Sequence, residues 1–170
     1  MRVLGIDPSS QATGFGIIEF ADNQYKVQAF GTIKPARRLP FHEKLNEIKA
    51  RLEELIGAYT PEDVAIENPF YALNIKTALV LGQVRGAVLV AVASSRCSLY
   101  EYSALEIKKA VTGYGRAEKQ QVNTMVRALL NIDDDYLEPD ASDALAAAYC
   151  HLNTRLFQQK VEESTAREKP

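Results

Sequence analysis

The 170-residue chain has no tryptophan, two cysteines, two histidines and two methionines. Each scarcity excludes something. Two histidines are too few for a metal site built from imidazoles. The cysteines, Cys97 and Cys150, stand far apart and lack zinc-ligand spacing. They are expected to be reduced structural thiols, as in the cytosol. No uninterrupted apolar run reaches the length of about eighteen residues that marks a membrane span. No basic segment with a long apolar stretch precedes "VLGIDP", so no secretory signal is expected and the reading is cytoplasmic. Basic residues are not in excess either. The net charge of −2 does not by itself announce a nucleic-acid binder.

What is present is more specific. With 46% apolar residues, the chain can build one domain with a substantial core, and little more. Six of its 22 acids lie in residues 131–143, "NIDDDYLEPDASD", which hold no base. The remaining 16 acids face 20 basic residues. One acidic focus therefore sits in a mildly basic body. It suits a cation site beside a polyanion, or simply a solvated loop.

Periodicity orders the chain. "RVLGID" (2–7), "TGFGIIEF" (13–20) and "QYKVQAFGTI" (24–33) read as three strands. The short "ADN" link makes the last two an antiparallel hairpin, and the third strand changes phase at Gly31. After the basic loop "KPARR" (34–38), Phe41, Leu45, Ile48, Leu52 and Leu55 mark an amphipathic helix ending near Gly57. "DVAIE" (63–67) is a fourth strand. Residues 71–93 are apolar on nearly every side of a helix, which predicts burial all round, in the core or partly against a partner chain. Gly82 and Gly86, four apart, allow close helix–helix approach. "CSLYEY" (97–102) is a fifth strand, and Ser103 can cap the helix that follows. A helix over 117–130 and another over about 140–157 complete the pattern. Residues 158–170 read as a polar, frayed tail behind a single domain at 1–157. This is an α/β domain with a mixed five-stranded sheet whose first three strands are antiparallel.

Four acids occupy telling positions. Asp7 and Glu67 each close an apolar strand, where a carboxylate is costly unless paired, hydrogen-bonded or bound to a cation. Ligands in open α/β sheets gather beyond the carboxyl ends of the strands. An Asx-turn in "DPSS" is the simpler reading of Asp7. Asp140 and Asp143 lie about 60° apart on one helix face, and the alanines behind them let that helix end come near the sheet. Capping and the helix dipole also explain both. Four clustered carboxylates repel one another. Divalent cations remove that repulsion, and oxygen-only ligands select hard ions such as Mg²⁺ or Mn²⁺. His151, about 12 Å along the helix from Asp143, stays outside such a shell.

The segments "LGIDPSSQATGFGII", "AIENPFYALNIKTALVLGQVRGA", "YSALEIKKAVTGYGRAEKQQV" and "DASDALAAAYCH" together resemble the RuvC family, bacterial Holliday-junction resolvases of the ribonuclease-H-like fold. The resemblance covers roughly residues 2–155. It implies that Asp7, Glu67, Asp140 and Asp143 are metal-binding carboxylates, with two Mg²⁺ ions per subunit and Mn²⁺ as a substitute. It implies that Lys108 and Lys119 approach the scissile region, with Lys119 at a helix start whose free N–H groups favour phosphate. Phe70 is placed to stack on an unpaired base, beside Tyr71, while Lys76 and Arg116 are further DNA contacts. The implied activity is a homodimeric endonuclease that nicks a four-way junction symmetrically, leaving 3′-hydroxyl and 5′-phosphate ends, in recombination and repair. The implied partner is the RuvA–RuvB branch-migration complex. Ser9 stands where the family usually carries glycine, and this chain is less basic than is usual. Two other classes share parts of the pattern. An actin-like ATPase or sugar kinase also has a "GID" turn and a glycine-rich hairpin, but needs a second domain. A catalytically silent ribonuclease-H-like module would not need all four acids.

Overall fold

The computed structural model describes residues 1–68, 74–133 and 137–167. Five strands form one sheet: β1 (Arg2–Asp7), β2 (Thr13–Ala21), β3 (Gln24–Ile33), β4 (Asp63–Asn68) and β5 (Ser98–Ser103), in the order β3-β2-β1-β4-β5. β1–β2–β3 are antiparallel, and β4 and β5 add in parallel to the other side of β1. Parallel strands need crossovers. Helices α1 (Phe41–Tyr59) and α2 (Ile75–Ala93) supply them, and α3 (Ala104–Thr112), α4 (Lys119–Leu130) and α5 (Pro139–Arg167) follow.

Alternation along β1 splits the core. Leu4 and Ile6 pack with Ile48 and Leu52 of α1 and with Val84 and Val88 of α2. Val3, on the other face, belongs with Ile107, Val122 and Val126 from α3 and α4 and with the alanines of α5. The α5 backbone presses onto β1 and β2 at glycines. A Cβ on Gly5 would lie 1.9 Å from the Ala144 carbonyl oxygen, and one on Gly14 would lie 1.9 Å from that of Asp140. Such contacts are impossible for any other residue without moving the helix.

Local chemistry explains the element ends. Asp22 and Asn23 both adopt left-handed angles, giving the tight two-residue hairpin that matches strand twist. The irregularity in β3 falls at Gln28, where Ile17 and Ile18 pair with Ala29 and Val27, three residues before the expected Gly31. α1 runs past Gly57 to Tyr59, because the stop is Thr60, left-handed and just before Pro61. Ser103 caps α3 in a full capping box with Glu106.

Two expectations change. α5 continues to Arg167 where a frayed tail was expected, since residues 158–167 contain no glycine or proline to stop a propagating helix. α2 is not buried all round. Val84, Val88, Ala91 and Val92 are buried, whereas Ile75, Leu79 and Val90 are 79%, 63% and 53% exposed. Its length and mean hydropathy of 1.6 would suit a membrane span. Here the inner face packs on α1 and the sheet, and Arg85 points into the protein. Cys97 and Cys150 are free thiols, half-buried and buried.

Candidate active site

The β1–β4 ladder ends at Ile6 and Ile66, so the strands part just where Asp7 and Glu67 begin. Both acids reach the rim at the carboxyl ends of these strands. Across the gap, the first turn of α5 brings Asp140 and Asp143, held there by the contact at Gly14. Asp7, Glu67 and Asp143 line a cavity of about 280 Å³, together with Lys108 of α3 and Lys119 of α4. Asp140 is not in the lining but acts on Asp7 through its charge.

The electrostatics show how closely the acids crowd. The Asp7 carboxyl is pushed up to about 7, first by burial and then by the charges of Asp143, Glu67 and Asp140, with Lys119 opposing. Glu67 is raised by burial and by Asp143, against Lys119 and Lys108. Asp140 is raised by burial, Asp143 and Glu138, against Lys119 and Lys34. The Lys119 Nζ donates to Asp143 Oδ2 at 2.9 Å, which pushes the lysine up. Among the described residues, no three acid, His or Cys side chains are already gathered tightly enough to hold an ion. The donor set still fits a hard divalent cation: four carboxylates, no sulfur or imidazole, and a shared excess of negative charge.

Among the described residues no donor reaches the Asp7 carboxylate, and the turn after it is held by Thr13 instead. The Thr13 hydroxyl donates to the Ser9 carbonyl at 2.6 Å, and its oxygen accepts from the Ser9 N–H at 3.2 Å. An Asx-turn is therefore not what places Asp7. Pro139 opens α5, so Asp140 lies inside the first turn, and no α5 backbone N–H donates to either aspartate side chain among the described residues. Both remain at the favourable positive end of the helix.

The other sequence candidates separate. Lys108 is half-buried in the cavity wall, while the Lys119 side chain is 81% exposed at its mouth. Acidic Glu118 sits at the N-cap of α4, so that helix end is less open to phosphate than expected. Lys76 and Arg116 are exposed and do not line the cavity. Phe70 and Tyr71 lie outside the described residues. His151 is fully buried, with Nε2 2.8 Å from Asp63 Oδ2 and Nδ1 2.7 Å from the Tyr102 hydroxyl, a structural network away from the carboxylates.

Two contributors escaped the sequence reading. Arg85 of α2 lines the cavity. Glu138 accepts from Lys34, at 2.5 Å, and from Thr32, tying the basic loop to the start of α5. Neither carries a local sequence signal, because both depend on partners 16 or more residues away.

Comparison with known proteins extends this picture. The family profile of "Crossover junction endodeoxyribonuclease RuvC" matches residues 3–151. The protein of that description from Alkaliphilus metalliredigens is 43% identical over 158 residues, 93% of this chain and 96% of the relative. That from Magnetococcus marinus is 44% identical over 160 residues, 94% and 88% of the two chains. The Thermus thermophilus RuvC solved in complex with a Holliday junction substrate superposes with a TM-score of 0.83 at 31% identity, covering 89% of this chain and 93% of that one. Similarity of this depth, running through all three elements that carry the acids, reaches beyond a shared fold: the chain belongs to the RuvC family of crossover junction endodeoxyribonucleases, which are metal-dependent nucleases.

Proposed function

We propose that this chain resolves four-way DNA junctions by metal-dependent hydrolysis of one phosphodiester in each of two opposed strands. The observation that carries the reading is the convergence of Asp7, Glu67, Asp140 and Asp143 from three elements on one rim, where burial first and then the three neighbouring charges push the Asp7 carboxyl up to about 7. These four would hold the ions, Mg²⁺ or in its place Mn²⁺, two per subunit. Two such ions, when bound, activate a water and stabilise the leaving oxygen of a phosphodiester. The products are a 3′-hydroxyl and a 5′-phosphate.

The chain's own side chains do the rest. Lys119 presents an ammonium at the cavity mouth, where it can meet the scissile phosphate, and Lys108 offsets the charge of Glu67 from the wall. Phe70 and Tyr71, just past β4, are assigned to an unpaired base, where stacking contributes about 1–3 kcal/mol per base. Lys76 and Arg116, both exposed, are assigned to phosphates away from the cut. The nuclease domain is assigned to residues 1–157.

Paired cuts need two sites related by symmetry, and a two-fold dimer matches the junction. The exposed stripe of α2 suits that face. Ile75, Leu79 and Val90 are solvent-exposed, and open space lies beside Gly82 and Gly86, where a second α2 can approach closely. The dimer would act in the cytoplasm on junctions delivered by the RuvA–RuvB branch-migration complex.

The test is a synthetic four-way junction in Mg²⁺, run beside a linear duplex, a flap and an RNA–DNA hybrid. Symmetric nicks confined to the junction are expected. ATP hydrolysis without DNA cleavage would instead favour an actin-like ATPase.

A further inference from the structure

Arg85 has a place in the cavity that the proposed chemistry does not use. It projects from the edge of the inner face of α2, away from the Leu79–Gly86–Val90 stripe, and its side chain is only 16% exposed. Its Nη2 pairs with Glu101 Oε1 of β5 at 2.7 Å. Its Nη1 donates to the Glu67 carbonyl oxygen at 3.1 Å. The planar fork thus joins three elements, α2, β4 and β5, at the end of β4, where the ladder to β1 has already stopped at Ile66.

We infer that Arg85 is a positioning residue that fixes the carboxylate of Glu67 by clamping its backbone carbonyl to Glu101. A direct electrostatic role fits less well. The charges that act on the Glu67 carboxyl are those of Asp143, Lys119 and Lys108, while the guanidinium is committed to Glu101. The clamp is needed because Glu67 lies one residue from the end of its strand, with the β1 rung missing on one side. Pairing with Tyr102 and Ser103 of β5 holds this strand end on one side only, and the fork adds the hold that β1 does not give. The fork geometry matters as well. A lysine ammonium can serve the carbonyl or the carboxylate as a point charge, but does not span both in a fixed plane.

The inference rests on the reading that Glu67 is a cation ligand, and the experiment separates the two. Mn²⁺ binding to the full-length protein without DNA is followed by electron paramagnetic resonance of the free ion. Wild type, Arg85→Met, Arg85→Lys, Glu101→Gln and Glu101→Ala are compared, with sedimentation, thermal melts and metal-free junction binding alongside. Arg85→Met is expected to weaken Mn²⁺ binding about tenfold or more, the usual cost of losing a group that orients a metal ligand. Arg85→Lys and Glu101→Gln should fall between it and wild type, with the dimer and metal-free junction affinity unchanged. Equal Mn²⁺ binding by wild type and Arg85→Met overturns the assignment. So does a loss of junction affinity in Arg85→Met, which would make Arg85 a phosphate contact. If Arg85→Met does not fold, Glu101→Ala decides, because it keeps the arginine and removes its anchor, whereas Gln still offers an acceptor oxygen: unchanged Mn²⁺ binding in Glu101→Ala overturns the clamp. Failure of the wild type itself to bind Mn²⁺ sinks the cation site, not Arg85 alone.

Discussion

Replacing Asp7 by Asn should abolish cleavage and, in the absence of divalent ions, make the protein more stable. The folded protein holds this carboxyl at about 7 against an ordinary 3.8, mainly through burial and then through three neighbouring acids. A carboxyl whose pKa rises on folding stabilises least where it must be ionised. Its penalty is absent below the unfolded value, grows as pH rises and is complete above the folded value. Three pKa units correspond to about 4 kcal/mol at pH 8, and roughly 2 kcal/mol at pH 5. Asn removes the charge but brings a buried amide with its own desolvation cost. A gain of about 2 kcal/mol at pH 8 is therefore expected, or about 4–8 °C in Tm for a domain of this size. The assay is thermal melting of both proteins in EDTA at pH 5 and pH 8, then in Mg²⁺. The advantage of Asp7→Asn should grow with pH in EDTA. Added Mg²⁺ should raise the wild-type Tm by mass action and move the variant less. An Asp7→Asn protein that melts at or below wild type at pH 8 in EDTA would refute the account of a buried carboxylate among other acids.

Gly14→Ala places a methyl 1.9 Å from the Asp140 carbonyl oxygen, so it should cost about 1–3 kcal/mol or more in urea melts and remove cleavage; Gly57→Ala, with nothing within 4 Å, is the control and should be neutral or slightly stabilising. Lys119→Ala should slow cleavage and lower the salt-dependence slope of junction binding by about one; an unchanged rate removes Lys119 from the site. Leu79→Asp should yield monomers by sedimentation and uncouple the two nicks on one junction; an intact dimer moves the interface elsewhere. Burial holds the His151 imidazole below its ordinary 6.5 despite Asp63, so the stability it contributes is present above pH 6.5 and lost as pH falls below that value. Melts in an Asp7→Asn background, free of the opposing carboxyl, should show that loss, and a flat profile there would contradict it.

The hairpin, the crossovers and the strand count were legible because each rests on a local signal: a two-residue link, a 3.6 period, an apolar run closed by an acid. The core-or-partner question for residues 71–93 was not. Composition reports how apolar a helix is, not which of its faces the sheet covers, and only the packing shows Leu79 and Val90 left bare. The length of α5 was missed for a related reason. A polar stretch with no breaker continues a helix without any packing to reward it, so polarity at 158–167 did not mean fraying.

Asp140 and Asp143 show how far a sequence can go toward a site. From "DASDALAAAYCH" alone, capping is the simpler reading and a cation site the other, because a helix pattern contains no information about what lies opposite its first turn. What lies opposite is set by glycines on the sheet. Gly14 faces Asp7 across the β1–β2 rung, and the α5 backbone at Asp140 lies where its Cβ would be. That contact, not the aspartates' own spacing, places two helical acids beside two strand-end acids. Gly5 repeats it one turn further along α5, against Ala144. Small residues on both sides of the seam thus set the distance between helix and sheet. The acids at its end are thereby held on one rim, and there the ammonium of Lys119 offsets part of their repulsion.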